Sequence, residues 1–251
     1  MTWGNFFFFL IGYEPSCLTC PYRPSCIIGE QSQKVLREFS GALKRHVLLS
    51  KGKIIFHQGD PSSGYHFLCA GAVKLVKLLH TGNQIIIDVL EPFSFLSLIP
   101  ERKGQGHRCT AVTLAEWSEV ASIGERELHS LFSRHPSLAF AVASYFSQRL
   151  RLAGRLLACI KLPVRDRLIA YLASRISTGP LTGKRPMIDL RLPRKDFAEV
   201  IQTTPETLSR TFRQLEKEGV LRTRGSVIEV IDLDLVRSYF EDDLDQERRN
   251  N

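Results

Sequence analysis

Thr203-Thr204-Pro205-Glu206-Thr207-Leu208-Ser209-Arg210 is the stretch on which the fold turns. Thr204 is a good N-cap, because its hydroxyl can accept from a free amide of the first turn. Pro205 suits the first helical position, where a missing N–H costs nothing. Glu206, Ser209 and Arg210 stand at i, i+3 and i+4 and share one face. Leu208, Phe212 and Leu215 take the opposite side, and Gly219 stops the helix, so a helix is expected over 205–218. Another precedes it at 193–202. Two strands, 220–224 and 227–231, follow about Gly225-Ser226. Helix, turn, helix and hairpin make a winged helix-turn-helix whose second helix offers its N-terminal end to a major groove. There Arg210 can donate twice to guanine, Glu206 can accept from cytosine, and Ser209 can bond base or phosphate. Arg194 and Lys195, opening the preceding helix, suit phosphate contacts.

Working outward, Pro163 separates this winged-helix domain, 163–241, from what precedes it. The domain also holds a helix at 164–177, a strand at 187–192 and a last helix at 233–241. An acidic, polar tail, 242–251, follows. Upstream, Pro136 opens a long helix reaching residue 160 within a segment at 126–162. Leu138, Tyr145 and Leu152 recur every seven residues, with Val142 and Leu156 on the same stripe. A heptad stripe can pair with its own copy, so this is expected to be a dimerisation helix. Over 31–125 the texture is different. After a short helix at 31–44, apolar runs alternate with turn residues around Gly59, Gly71 and Gly82, the mark of an antiparallel β-roll. The runs 109–114 and 117–123 are expected to pair as a hairpin about Ala115-Glu116. The fold class is α+β: an N-terminal antiparallel β-roll, a long helix and a C-terminal winged helix.

The 251 residues carry a formal charge of +8, with 43% hydrophobic and 24% charged residues. That composition supports a packed core and excludes wholesale disorder. The charge is uneven: +2 over 1–125, +5 over 126–162, +5 over 163–230 and −4 over 231–251. The basic half would attract a polyanion such as double-stranded DNA. The longest apolar run, 6–11, is too short to span a membrane. It follows no basic residue, so it does not read as a signal peptide, and a cytoplasmic chain with no membrane partner is expected.

Of six cysteines, Cys17, Cys20 and Cys26 fall within ten residues, in a segment, 1–30, that also carries Pro21, Pro24 and Gly29. In a reducing compartment such clustering argues for metal or redox chemistry over disulfides. Thiolates suit an iron–sulfur cluster or zinc. A Cys-x2-Cys pair is also a zinc half-site, although no second Cys/His pair is adjacent. Bare thiol sensing is the third possibility.

This order of elements resembles the Crp/Fnr superfamily of bacterial transcription regulators over residues 35–240. Glu206-Thr207-Leu208-Ser209-Arg210 matches its E-x-x-S-R recognition pattern in the Fnr form. The resemblance implies a homodimer that binds a TTGAT-type inverted repeat and works with RNA polymerase. The Cys17-x2-Cys20-x5-Cys26 spacing is similar to that by which Fnr-type sensors hold three irons of a 4Fe–4S cluster, the intact cluster favouring the DNA-binding dimer. The family's fourth cysteine corresponds to Ala121, and Cys109, placed opposite by the expected hairpin, is taken as its substitute. Cyclic-nucleotide binders of the superfamily carry Gly-Glu and Arg-Ser pairs where this chain has Ser97-Leu98 and Arg108-Cys109. That disfavours such an effector. A small ligand near Arg108 and a metal-dependent enzyme are the rival readings. Against an enzyme, no Ser/His/Asp set, carboxylate pair or phosphate loop stands out.

Overall fold

The computed structural model describes residues 16–62, 64–96, 106–176, 185–190 and 192–239. The apolar run 6–11, the pair Ser97-Leu98 and the tail 242–251 lie outside them. The chain divides into two compact units, one of residues 1–78 and 89–146, the other of residues 79–88 and 147–251.

In the first unit, helix α1 (Gln33–Ala42) starts where Ser32 accepts from the Val35 amide at 3.4 Å, and it buries Val35, Leu36 and Phe39. Eight strands follow along the chain: β1 (Arg45–Ser50), β2 (Ile54–Phe56), β3 (Tyr65–Ala70), β4 (Val73–Leu78), β5 (Gln84–Leu90, whose residues 84–88 are counted with the second unit), β6 (Ser94–Phe95), β7 (Thr110–Thr113) and β8 (Trp117–Ile123). They form two sheets, β1-β8-β3-β6 and β2-β7-β4-β5. Leu68 and Val120 from the first meet Phe56, Val73, Leu75 and Ala111 from the second in one buried cluster, the interior of the roll. At Gly71 φ is +93°, and a Cβ there would stand 2.4 Å from the Ser118 hydroxyl, so the β3–β4 turn requires glycine. The roll matches the expected class. The strands β1 and β6 were not read from sequence.

One expected pairing is absent. β7 pairs with β2 and β4, whereas β8 pairs with β1 and β3. Residues 114–116 therefore carry the chain from one sheet to the other instead of closing a hairpin. The physical reason is in the connector. A tight hairpin turn needs residues at positive φ, usually Gly, Asn or Asp, and Leu114-Ala115-Glu116 has none.

Helix α2 (Glu125–Arg134), also unread from sequence, buries Leu128 and Leu131 against Phe39 and Ile28. Arg134 and His135 both reach Glu38 Oε2, at 2.5 and 2.9 Å. Helix α3 (Pro136–Ala158) opens at Pro136 as expected, and a 3-10 turn (Cys159–Lys161) ends it before Pro163.

The second unit holds α4 (Val164–Ile176), β9 (Met187–Asp189), α5 (Arg194–Val200), α6 (Pro205–Lys217), β10 (Leu221–Arg224), β11 (Val227–Val230) and α7 (Leu233–Ser238). Leu168, Ile169, Phe197, Leu208, Phe212, Leu215 and Val230 form its core. Burying each such side chain contributes roughly 1.5–3 kcal/mol. Cys159 packs against this core as a small hydrophobe.

Candidate DNA interface and thiol site

The turn between α5 and α6 sets the first site. Gln202 takes φ 57°, and the Thr203 amide donates to the Ala198 carbonyl at 2.9 Å. Thr204 Oγ1 accepts from the Thr207 amide at 3.2 Å, the cap expected from sequence. With Leu208, Phe212 and Leu215 buried, α6 leaves Glu206, Arg210, Arg213 and Lys217 exposed. Glu206 is held below the usual carboxylate range by the backbone amide of its own residue, the Thr204 hydroxyl and then Arg210. It therefore stays an acceptor at neutral pH.

Ser209 sits half-buried and donates its hydroxyl to the Pro205 carbonyl at 2.8 Å, so toward a base it is left with acceptor capacity only. Arg194 lies 4.7 Å above the Phe212 ring, which pre-positions its guanidinium at the start of α5; Lys195 beside it is exposed. The wing is stapled to α6, since the Thr223 amide and hydroxyl both donate to Glu216 Oε1, at 2.8 and 2.6 Å. Arg222 and Arg224 line that wing in the open. Four exposed cations, Arg213, Lys217, Arg222 and Arg224, were missed from sequence, although Arg213 and Lys217 follow Arg210 at i+3 and i+7.

Helix α3 presents a different face from the one expected. Leu138 is fully buried beside Phe39 and Leu131, and Val142 packs on Phe67 and Phe95. Tyr145 leans on that second cluster, and Leu152 and Leu156 are half-buried. The open row is Phe140, Ala143, Ser147, Leu150, Gly154 and Leu157, with Phe140, Leu150 and Leu157 exposed by 76%, 75% and 64%. Its spacing alternates three and four, which is the a/d pattern of a paired helix. Of the expected stripe, Leu138, Val142 and Tyr145 thus pack in the chain's own core, and a second row of the same helix stands open.

The second site lies in the first unit. A compact loop holds Cys17, Cys20 and Cys26. The Arg23 amide donates to Cys20 O at 3.1 Å, the Gly29 amide to Cys26 O at 2.8 Å, and Arg23 Nε to Gly29 O at 2.9 Å. A Cβ on Gly29 would fall 1.8 Å from the Arg23 carbonyl oxygen, so this loop closes only with glycine. Backbone amides point at sulfur: those of Tyr22 and Arg23 at Cys20, and that of Ile28 at Cys26. Ser40 bonds Cys17.

Burial pushes Cys17 up to about 11 and Cys26 up to about 12, and it raises Cys20. Cys69 on β3 is driven up as well, by burial first and then by Glu119, Cys17, Cys26 and Cys20. Four thiols thus share one neighbourhood. Among the described residues no three His, Cys, Asp or Glu side chains stand as a closed metal-binding group. The fit to a metal is one of donor type: soft sulfurs, sheltered from water and met by amide donors that favour their charged form.

Cys109 is elsewhere. It is buried in the roll interior with Phe56, Leu68 and Val120. With β7 and β8 in different sheets, the strand carrying it is not the neighbour of Ala121. Opposite Ala121 stand His46 on β1 and Phe67 on β3. The expected placement of Cys109 therefore loses its basis. Arg108, of the rival ligand reading, is exposed between the buried His107 and Cys109.

Comparison with known proteins agrees with this architecture. Residues 46–135 match the cyclic nucleotide-binding domain model and residues 151–239 the Crp-like helix-turn-helix domain model. The nitrogen fixation regulation protein FixK of Bradyrhizobium diazoefficiens is 28% identical over 86% of this chain and 90% of its own length. The anaerobic regulatory protein of Pasteurella multocida is 24% identical over 86% of this chain and 80% of its own. The solved structure of FixK2 from Bradyrhizobium japonicum superposes with a TM-score of 0.64 at 20% identity, covering 78% of this chain and 96% of that one. Among the described residues no helix is long and apolar enough to cross a membrane. With a nucleotide-binding-type roll, a long helix and a Crp-like winged helix in this order, the chain belongs to the Crp/Fnr family of DNA-binding transcription regulators.

Proposed function

We propose that this regulator is an oxygen or redox sensor in which Cys17, Cys20 and Cys26 hold a 4Fe–4S cluster, and that it binds a TTGAT-type inverted repeat as a homodimer. The observation that carries the reading is the loop: three sheltered thiols, two of them met at sulfur by backbone amides, closed by a glycine that admits no side chain. When bound, such a cluster supplies an inorganic link between thiolates that oxidants can break.

The chain's own residues supply the rest. Cys17 and Cys26 pack against the cluster of Ile28, Phe39, Ile123, Leu128 and Leu138, so the loop rests on the first turn of α3. The order of the loop is thereby tied to the packing of that helix. Arg210 and Glu206 read base edges, while Arg194, Lys195, Arg213, Arg222 and Arg224 meet phosphates. Two recognition helices, one from each copy, match the symmetry of an inverted repeat. RNA polymerase is the further partner of the assembled complex.

Zinc on the same thiols is the alternative that the donor set supports. Oxygen-free purification distinguishes them. A coloured protein with iron and inorganic sulfide, binding the palindrome until air is admitted, is the expected result. A colourless protein carrying one zinc per chain would overturn the iron–sulfur reading.

A further inference from the structure

We propose that Cys69 is the fourth thiol of the site formed by Cys17, Cys20 and Cys26. The inference rests on the metal-site reading above and concerns which residue completes it.

The sheet places Cys69 there. β3 lies beside β8, with Phe67 opposite Ala121 and Leu68 opposite Val120. The register then slips, so that Ala70 is opposite Glu119 and Cys69 has no residue across from it. Up to that point the strand alternates, so Cys69 stands on the same face as Phe67 and opposite to Leu68. Leu68 goes into the roll interior with Val120, whereas Cys69 packs outside it against Phe67, Phe95 and Val142. Cys26 packs against that same outer cluster. The thiols of Cys17, Cys20 and Cys26 all act electrostatically on Cys69, as does Glu119 beside the bulge.

A small buried cysteine filling a gap is the simpler account of any one such residue. It does not account for a thiol that shares its outer cluster with Cys26 and is coupled to all three loop thiols. Cys109, the other candidate, is held inside the roll with Phe56, Leu68, Val73 and Ala111.

The test uses the full chain purified without oxygen, with iron, zinc and sulfide per chain and the visible spectrum as readouts. Cys69→Ser should lose metal as fully as Cys17→Ser, from about four irons per chain to background, while Cys109→Ser keeps the wild-type content. Since Phe67 faces Ala121 across the ladder, moving the thiol one strand over in the double variant Cys69→Ala with Ala121→Cys should restore metal and colour. That restoration also separates a lost ligand from a lost fold. Wild-type iron in Cys69→Ser, alongside loss in Cys17→Ser, would overturn the assignment and leave the site reading intact. Zinc in the wild type, lost in both single variants, would sink the cluster but keep Cys69 as the fourth thiol. A wild type with neither metal would overturn both.

Discussion

Arg167 donates from Nη2 to the carbonyl oxygen of Gln202 at 3.0 Å, while its Nε donates to the Ile201 carbonyl at the same distance. Its Nη1 turns the other way, to the carbonyls of Ile160 and Leu162 at 3.1 and 3.0 Å. One guanidinium thus ties the end of α3 to the turn that aims the recognition helix. Only arginine has a planar fork with enough donors for four acceptors.

Arg167→Lys should therefore cost about 1.5–3 kcal/mol of stability in the second unit, the scale of hydrogen bonds from a charged group. DNA affinity should fall to a similar extent on cognate and random duplexes. Urea unfolding and duplex titration check both. Unchanged stability would mean that the four carbonyls are satisfied without Arg167.

Arg210→Ala should lose about 1–3 kcal/mol against the palindrome and relax preference at one guanine. Arg213→Ala or Lys195→Ala should instead weaken all sequences alike and flatten the salt dependence by about one counterion. Titrations at several salt concentrations distinguish the two behaviours. An Arg210→Ala protein binding as tightly as the parent would contradict the assignment of α6.

The two faces of α3 predict opposite outcomes. Leu138→Ala opens a cavity in a packed core and should cost about 2–5 kcal/mol of stability. Leu150→Glu, on the open row, should leave the urea midpoint within about 0.5 kcal/mol of wild type while abolishing pairing in sedimentation. Persistent pairing in Leu150→Glu would place the seam elsewhere.

His66 gives a pH signature. Burial, and then His107, lower it to about 4 from an ordinary 6.5, and its Nδ1 has no hydrogen-bond partner among the described residues. The folded protein resists protonating this ring, whereas the unfolded chain accepts the proton below about pH 6.5. Stability should thus decline as pH falls from about 6.5 toward 4, by a few kcal/mol at the limit. His66→Phe should remove that part of the decline in urea titrations at pH 7 and pH 5. An identical decline in the variant would assign it to other groups.

Legibility in the sequence followed the range of the forces involved. Thr204, Pro205 and Gly219 act within one helical turn, so α6 and its ends were readable from neighbours alone. Most strand positions were readable as well, β1 and β6 apart, since turns announce themselves with glycine. Which strands pair is decided by closure of the whole roll, and the one local sign that β7 and β8 belong to different sheets was the lack of turn residues in Leu114-Ala115-Glu116. The location of Cys109 fell with that pairing. The open row of α3 was hidden for a related reason. Leu138, Val142 and Tyr145 make the stronger apolar stripe because they have a core to fill, while the open row is diluted by Ala143, Ser147 and Gly154. The thiols could be counted in the sequence, but which face of β3 Cys69 takes, and that Cys26 packs on the same outer cluster, could not.

Half of the open row on α3 is small or polar, and Gly154 has empty space where a side chain would be. For two copies meeting along it, the paired form is governed by mass action. When most of the protein is unpaired, halving its amount leaves about a quarter of the pairs. Expression level is then itself an input to such a regulator, and a steep one.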